Sequence, residues 1–312
     1  MTNPSVYLQP GEDVVAYGAT NATSAQIVAA SAIIDAFLKR PKGLVYLTDA
    51  NGNPCMMAAA AAEMTYTLVS PISAGANVVA TLAPGKITPD FVGEVFVLEA
   101  GSGAPNGSNV EACLVTAVGA PGSNQVTLSS VQFSHAAGVT AQTGLTLVEE
   151  RSLPNKRSVT NLAETPSVAI LSLLGRYAYG RRSDQVGGLY QEMNLLASVQ
   201  TFGGPPQWII VDPTQASISP RTGEVWVPAG MLLAYYSDVR IRYIGGWTYL
   251  NLPGEIKAAT AAIANALISY AGQPPSLSEI SVGSGTMKKF TASVLDDDMQ
   301  RMLTPYKART IY

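Results

Sequence analysis

The residue types that most often do chemistry are scarce in this chain. His135, in the stretch VQFSHAAGV, is the only histidine among 312 residues. A Ser–His–Asp or Cys–His nucleophile would have to use it, and no G-x-S-x-G turn accompanies it. A lone histidine at a strand end reads as a local hydrogen-bonding residue. Cys55 and Cys113 are the only cysteines. Two thiols so far apart make neither a disulfide framework nor a zinc site, and they fit a reducing place of synthesis. The densest acidic cluster is Asp296 to Asp298, in LDDDMQ. Successive helical side chains point about 100° apart, so the three do not converge on one ion. They read instead as negative charge at a helix N-terminus. Glu149 and Glu150 are adjacent, so on a strand they face opposite sides and cannot act as a glycosidase pair. Carboxylates distant in sequence stay open. No catalytic residue, cofactor-binding residue or metal ligand is assigned, and the chain is read as a non-enzyme.

The phosphate-binding patterns fail in detail. APGKIT (83–88) holds Gly85 and Lys86, but Ala80 stands where the first P-loop glycine belongs, and Ile87 replaces the Ser/Thr. GSGAPNG has no helix pattern after it. Gly245-Gly246 lies between a strand and a helix, but lacks a third glycine at the required spacing. Its helix opens on Pro253, which lacks an amide donor. That turn is therefore read as structural. A basic loop, GRYAYGRRSDQ, mixes Arg176, Tyr177, Tyr179, Arg181 and Arg182. Cations among aromatic rings can grip nucleic acid or form a protein interface. A net charge of -3 favours the interface, because dedicated nucleic-acid binders are normally basic.

These residues need elements to hold them. Hydrophobic residues make up 47% of the chain and charged residues only 13%, about half the roughly 25% of an average globular protein. Interface centres are poor in charge, so much of the surface is expected to lie against other subunits. MTNPSVYLQPGEDVV has neither a basic start nor an apolar run, so no signal peptide is expected. No apolar run reaches the ~20 residues of a membrane span.

Residues 23–40 predict a helix. Thr23 and Gln26 stand at capping-box spacing, Ile27, Ala30, Ile34, Phe37 and Leu38 share a face, and Asp35 precedes Lys39 at the spacing of a surface pair. From 44 to 150, strand-like runs alternate with turn sequences such as ANGNP and GAPGSN, which predicts a small sandwich or barrel. Val95 and Val97, like Val126 and Leu128, alternate as half-buried strands do. QWIIVDP and GEVWVPA look like a hairpin, and DVRIRYIGG like a third strand. A helix follows from Pro253 with Ile256, Thr260, Ile263, Leu267 and Tyr270 on one face. A last helix spans about 293–303.

Four segments, taken in order, resemble the head–tail adaptor (connector) proteins of tailed bacteriophages. They are ATSAQIVAASAIIDAFLKRP, WIIVDPTQASISPRTGEVWVPAG, VRIRYIGGW followed by LPGEIKAATAAIANALIS, and MKKFTASVLDDDMQRMLTPYKAR. The resemblance covers about 130 residues at both ends of the chain. It implies an α+β fold: a helical adaptor core with a β-hairpin, interrupted by an inserted β-sandwich or barrel-like domain. The expected division is residues 1–43 and 151–312 for the core and 44–150 for the insert. It further implies a virion protein of the neck, made in the host cytoplasm, that forms a homo-oligomeric dodecameric ring beneath the portal protein. Double-stranded DNA would pass non-specifically through the ring, and a tail, stopper or terminator protein would lie below. Ring packing would use Ile27, Ile34, Phe37, Ile256, Ile263 and Leu267. The portal-docking tail would carry Leu303, Pro305, Tyr306, Lys307, Arg309 and Tyr312. Arg176 to Arg182 would form an interface loop. The alternatives are a tail-completion or fibre-attachment β protein of the virion and, behind it, a carboxylate-dependent glycan hydrolase.

Overall fold

The structure is a computed structural model that describes residues 6–9, 11–48, 52–57, 64–85, 87–88, 91–99, 109–143, 146–153, 158–176, 208–228, 236–270, 279–282, 285–289 and 295–309. The chain forms two compact units. One comprises Tyr46–Met57, Ala61–Gly246 and Arg309–Tyr312; the other comprises Met1–Val45, Ala58–Ala60 and Trp247–Ala308.

The first unit is built of strands. It opens with an antiparallel pair, β1 (Tyr46–Thr48) and β2 (Pro54–Met57). Six strands then close a barrel: β3 (Met64–Leu68), β4 (Gly75–Ala83), β5 (Val95–Leu98), β6 (Glu111–Val118), β7 (Gln125–Val131) and β8 (Thr140–Thr143). Their order is β3-β4-β7-β6-β5-β8, with every neighbour antiparallel. Closure leaves the barrel no free edge. Alternation sends Val126 and Leu128 of β7 and Cys113 and Val115 of β6 into its interior. Tyr66 stands edge-on to Phe96 at 5.6 Å between ring centroids, and Phe91 stacks on Phe96 at 5.8 Å. Burying each such side chain contributes about 1.5–3 kcal/mol. β5 departs from the half-buried expectation. All four of its residues are buried, with Phe96 and Leu98 in the barrel core.

The rest of this unit is a pair of sheets. β9 (Leu147–Ser152), β11 (Ser167–Arg176), β12 (Ile209–Val211) and β15 (Asp238–Gly245) form one, ordered β12-β11-β15-β9. β10 (Val159–Asn161), β13 (Ser217–Ile218) and β14 (Glu224–Trp226) form the other, ordered β10-β14-β13. Leu173, Val239, Ile241 and Tyr243 of the first share a core with Leu162, Val225 and Val227. Gly175 is required here, because a Cβ would come within 2.4 Å of the Tyr236 ring.

The expected hairpin between QWIIVDP and GEVWVPA does not form. β12 pairs with β11, whereas β14 pairs with β10 and β13. The cause is local. Asp212 caps a 3-10 turn, Pro213–Gln215, by accepting a hydrogen bond from the Thr214 amide at 2.9 Å. That turn carries the chain out of one sheet before the next strand begins.

The second unit holds the helices: α1 (Glu12–Ala16), α2 (Ser24–Leu38), α3 (Gly254–Tyr270) and α4 (Asp297–Leu303), with a hairpin of β16 (Glu279–Val282) and β17 (Gly285–Lys289). Thr23 and Gln26 make the reciprocal capping box at the start of α2. The helix ends at Lys39, whose φ of 58° is left-handed. α2 packs on α3, and α3 on α4. Asp35 does not make a surface pair with Lys39; it accepts a hydrogen bond from the buried Tyr7 hydroxyl.

The expected fold class is therefore corrected. The chain is not a helical core carrying a β insert. It is mostly β, with a closed six-stranded barrel, four further sheets, two of them two-stranded, and only four α-helices among the described residues. The strand expected in DVRIRYIGG is β15, which lies between β11 and β9 in a four-stranded sheet.

Candidate functional site

Among the described residues, two buried polar clusters and one uncharged helix face call for an account beyond apolar packing. The first cluster lies at one end of the barrel. His135 is 1% exposed. Its Nδ1 lies 2.9 Å from the Glu99 carboxylate and its Nε2 lies 2.7 Å from Glu111. Glu99 follows β5, Glu111 begins β6, and His135 is bridged by backbone bonds to Ile72. Glu111 also accepts from the amides of Gln132 at 2.7 Å and Phe133 at 3.1 Å. Burial pulls the imidazole down, but hydrogen bonds to Glu111 and Glu99 outweigh it and hold its pKa above the ordinary value. Burial, reinforced by Glu111, pushes the Cys113 thiol up, so this cysteine is not an activated nucleophile. The sequence points to His135 as a hydrogen-bonding residue but gives no sign of its partners.

The second cluster lies in the helix-bearing unit. Tyr7, 1% exposed, donates to Asp35, and the Leu44 amide donates to the Tyr7 hydroxyl at 3.0 Å. Burial raises the Asp35 carboxyl to about 6, only partly offset by the Tyr7 hydrogen bond and Arg40. Arg40 is fully buried, and its Nε donates to the Tyr306 carbonyl at 3.0 Å. Nearby, Asp13 accepts from Tyr249 and pairs with Lys257 at 3.2 Å.

The residues expected to pack the ring are used within the chain. Ile27, Ile34, Ile256 and Ile263 are buried, and Phe37 and Leu267 are half-buried. The outward face of α2 carries Ala25, Val28, Ala29, Ala32 and Ala36, and no charged side chain is exposed between Ser24 and Leu38.

The tail residues are likewise engaged. Leu303 is buried. The Tyr306 ring stands edge-on to Trp247 at 5.6 Å, and its hydroxyl donates to Glu255 at 3.2 Å. Lys307 lies 3.8 Å over the Phe37 ring. Pro305 and Arg309 are exposed, Arg309 donating to the Thr222 carbonyl at 2.9 Å. Tyr312 lies outside the described residues.

Of the interface loop, only Arg176 is described; Tyr177, Tyr179, Arg181 and Arg182 lie outside. Arg176 and Arg240 flank the Trp208 ring at 4.5 and 4.7 Å, and each is paired with a carboxylate, Asp238 and Glu150 respectively.

Other residues settle locally. Asp296 caps α4 by accepting from the Met299 amide at 2.7 Å. The Gly246 amide bonds the Pro166 carbonyl at 2.7 Å, so the turn is held by its own chain. Glu149 points inward to Tyr243 and Arg151, whereas Glu150 points outward to Arg240. The sequence matches no family model and no curated protein.

Proposed function

We propose that this chain is a structural virion protein of the phage neck, a head–tail adaptor whose copies form a dodecameric ring beneath the portal and surround the DNA channel. The observation that carries the reading is the exposed face of α2. About three turns of helix present alanine and valine to solvent with no charge among them, whereas a surface helix normally shows a polar outer face. Small side chains let a second backbone approach closely, and a ring needs one such face to meet a different face on the next copy. The ends of the chain that resemble the adaptor family supply α2, α3 and α4, which lie in one unit. Because Leu303, Tyr306 and Lys307 are held by the chain itself, the portal contact falls to exposed Pro305 and Arg309 and to Tyr312. The low charge of the chain lets DNA pass without strong attraction.

The test is the double substitution Ala29→Glu/Ala32→Glu. Both positions are exposed, so the subunit is expected to fold normally. Light scattering, with and without portal protein, should show the unsubstituted chain in a ring and the variant as a monomer. An intact ring from the variant would refute the α2 contact. Labelled copies found away from the head–tail vertex would refute the neck.

A second reading draws on the strand-rich fold. Trp226, 45% exposed, and Val159 form a cross-strand apolar pair on an outer sheet face, as suits a tail-completion or fibre-attachment protein. A label at the tail tip or on the fibres would favour it.

A further inference from the structure

Neither the α2 face nor the tail explains why the chain's single histidine is sealed inside the barrel. A neutral imidazole has one N–H and can donate to one acceptor only. Here both ring nitrogens face carboxylate oxygens, at 2.9 and 2.7 Å, with 1% of His135 exposed. If the ring were neutral and both glutamates ionised, a nitrogen lone pair would be pressed against a carboxylate with no water to intervene. The geometry therefore requires one further proton in the cluster, and the two flanking carboxylates favour it on the imidazole. Among the described residues, the charged groups acting on the imidazole are Glu111 on β6 and Glu99 after β5. The thiol of Cys113, also on β6, bonds Glu111 and titrates well above its ordinary value. The segments carrying Ile72, Gln132 and Phe133 contribute backbone groups.

The cluster ties together parts of the barrel that no single hairpin joins. Glu99 and Glu111 lie 36 and 24 residues from His135, and the His135 backbone exchanges two hydrogen bonds with Ile72, at 2.9 and 3.0 Å. Glu99 is held at φ 55°, a left-handed conformation that a glutamate adopts only when its surroundings impose it. The Glu99 amide, bonded to the Thr140 carbonyl at 2.8 Å, and its carboxylate, bonded to His135, supply that constraint.

We propose that the Glu99–His135–Glu111 cluster is a proton lock on this end of the barrel: one shared proton holds β5, β6 and the Ile72 bridge together, and its release to solvent frees them. The released proton leaves the cluster with two carboxylates around a neutral imidazole, so its net charge goes from minus one to minus two. Because the folded imidazole titrates above its ordinary value of about 6.5, the lock is complete below that pH. It is lost as pH rises through the folded value. The barrel is thereby alkali-sensitive at one end only.

The single histidine makes the test unambiguous. In the full chain labelled with ¹⁵N, both ring nitrogens should carry protons at low pH, and the second proton should leave with a midpoint above the value of about 6.5 of an unperturbed histidine. Glu99→Gln keeps the side-chain shape and should lower the midpoint. Once pH passes the midpoint, the amides of Gln132 and Phe133 should lose protection by about tenfold or more relative to the Leu82 amide, the effect of losing one charge-assisted hydrogen bond. Leu82 bonds Asn124 at the other end of β7, so it corrects for the general rise of exchange with pH. A midpoint at or below about 6.5, a midpoint unmoved by Glu99→Gln, or a uniform loss of protection along β7 would each overturn the lock. The first measurement needs no variant, so it decides the matter even if Glu99→Gln fails to fold.

Discussion

The barrel and the helix-bearing unit each bury an ionisable group, and they meet its desolvation cost in opposite ways. In the barrel, His135 is given two carboxylates, and the charged imidazole is favoured despite burial. In the helix-bearing unit, Asp35 is given a tyrosine hydroxyl and a more distant guanidinium. These do not cover the cost, so burial keeps the carboxyl protonated up to about 6. Both groups bind protons more tightly in the folded state, so both stabilise less as pH rises, but in different windows. Asp35 loses its contribution between its ordinary value of about 3.9 and its folded value of about 6. His135 keeps its contribution through that range and loses it only above about 6.5. Asp13 works in the other direction. Burial pushes it up, but Tyr249, the Gln9 amide and Lys257 outweigh this and depress it. Its contribution is therefore lost only as pH falls below the ordinary carboxylate range.

The comparison breaks most sharply at His135. His135→Ala leaves Glu99 and Glu111 facing each other without a cation, and stranding a buried charge in this way costs about 3–5 kcal/mol. Hydrogen exchange resolved by segment should show the loss across β5, β6 and β7, with α2 and α3 unaffected. An equal loss in the helices would mean that the two units do not respond separately.

Asp35→Asn is the counterpart, with a smaller effect of opposite sign. Above pH 6 the ionised carboxylate is a liability worth about 1–3 kcal/mol, from a shift of about two pKa units. The amide oxygen can still accept from Tyr7. The variant should therefore be more stable than the unsubstituted chain at pH 7, equal to it near pH 4, and flat between. Urea unfolding followed through Trp247, which lies in the same unit, at several pH values measures this. A variant less stable at pH 7 would show that Tyr7 and Arg40 over-compensate for burial.

What could be read in advance differs between the two clusters for a physical reason. The capping box of α2 depends on residues three apart, and the period that buries Ile27, Ala30, Ile34 and Leu38 is local too. The opposite orientations of Glu149 and Glu150 follow from strand alternation alone. His135 could be recognised as a hydrogen-bonding residue, but Glu99 and Glu111 become its neighbours only when the barrel closes, which no local period encodes. The same limit hid the burial of Val95 and Val97, whose outward face is covered by the rest of the fold. It also hid the separation of β12 from β14 into different sheets. Asp35 lies on α2 as the helical period implies, but its partner is Tyr7 and not Lys39. A spacing of four to Lys39 promises a surface pair, but the position also faces Tyr7, near the start of the chain.

The smallest expected effect separates backbone stability from proton binding. Thr23→Ala removes the side chain that accepts from the Gln26 amide at 3.3 Å, and with it the reciprocal capping of α2. Loss of an N-cap of this kind costs about 1 kcal/mol. Thr23 is exposed and touches neither buried cluster, so this cost carries no proton with it. The stability of the helix-bearing unit should therefore fall by the same amount at pH 4, 6 and 8, a parallel displacement of the whole profile. The β7 amides should exchange as before. If the loss instead grew or shrank between pH 4 and 6, the start of α2 would be coupled to Asp35 three turns further on. The Asp35 window would then belong to the whole helix and not to the single carboxylate.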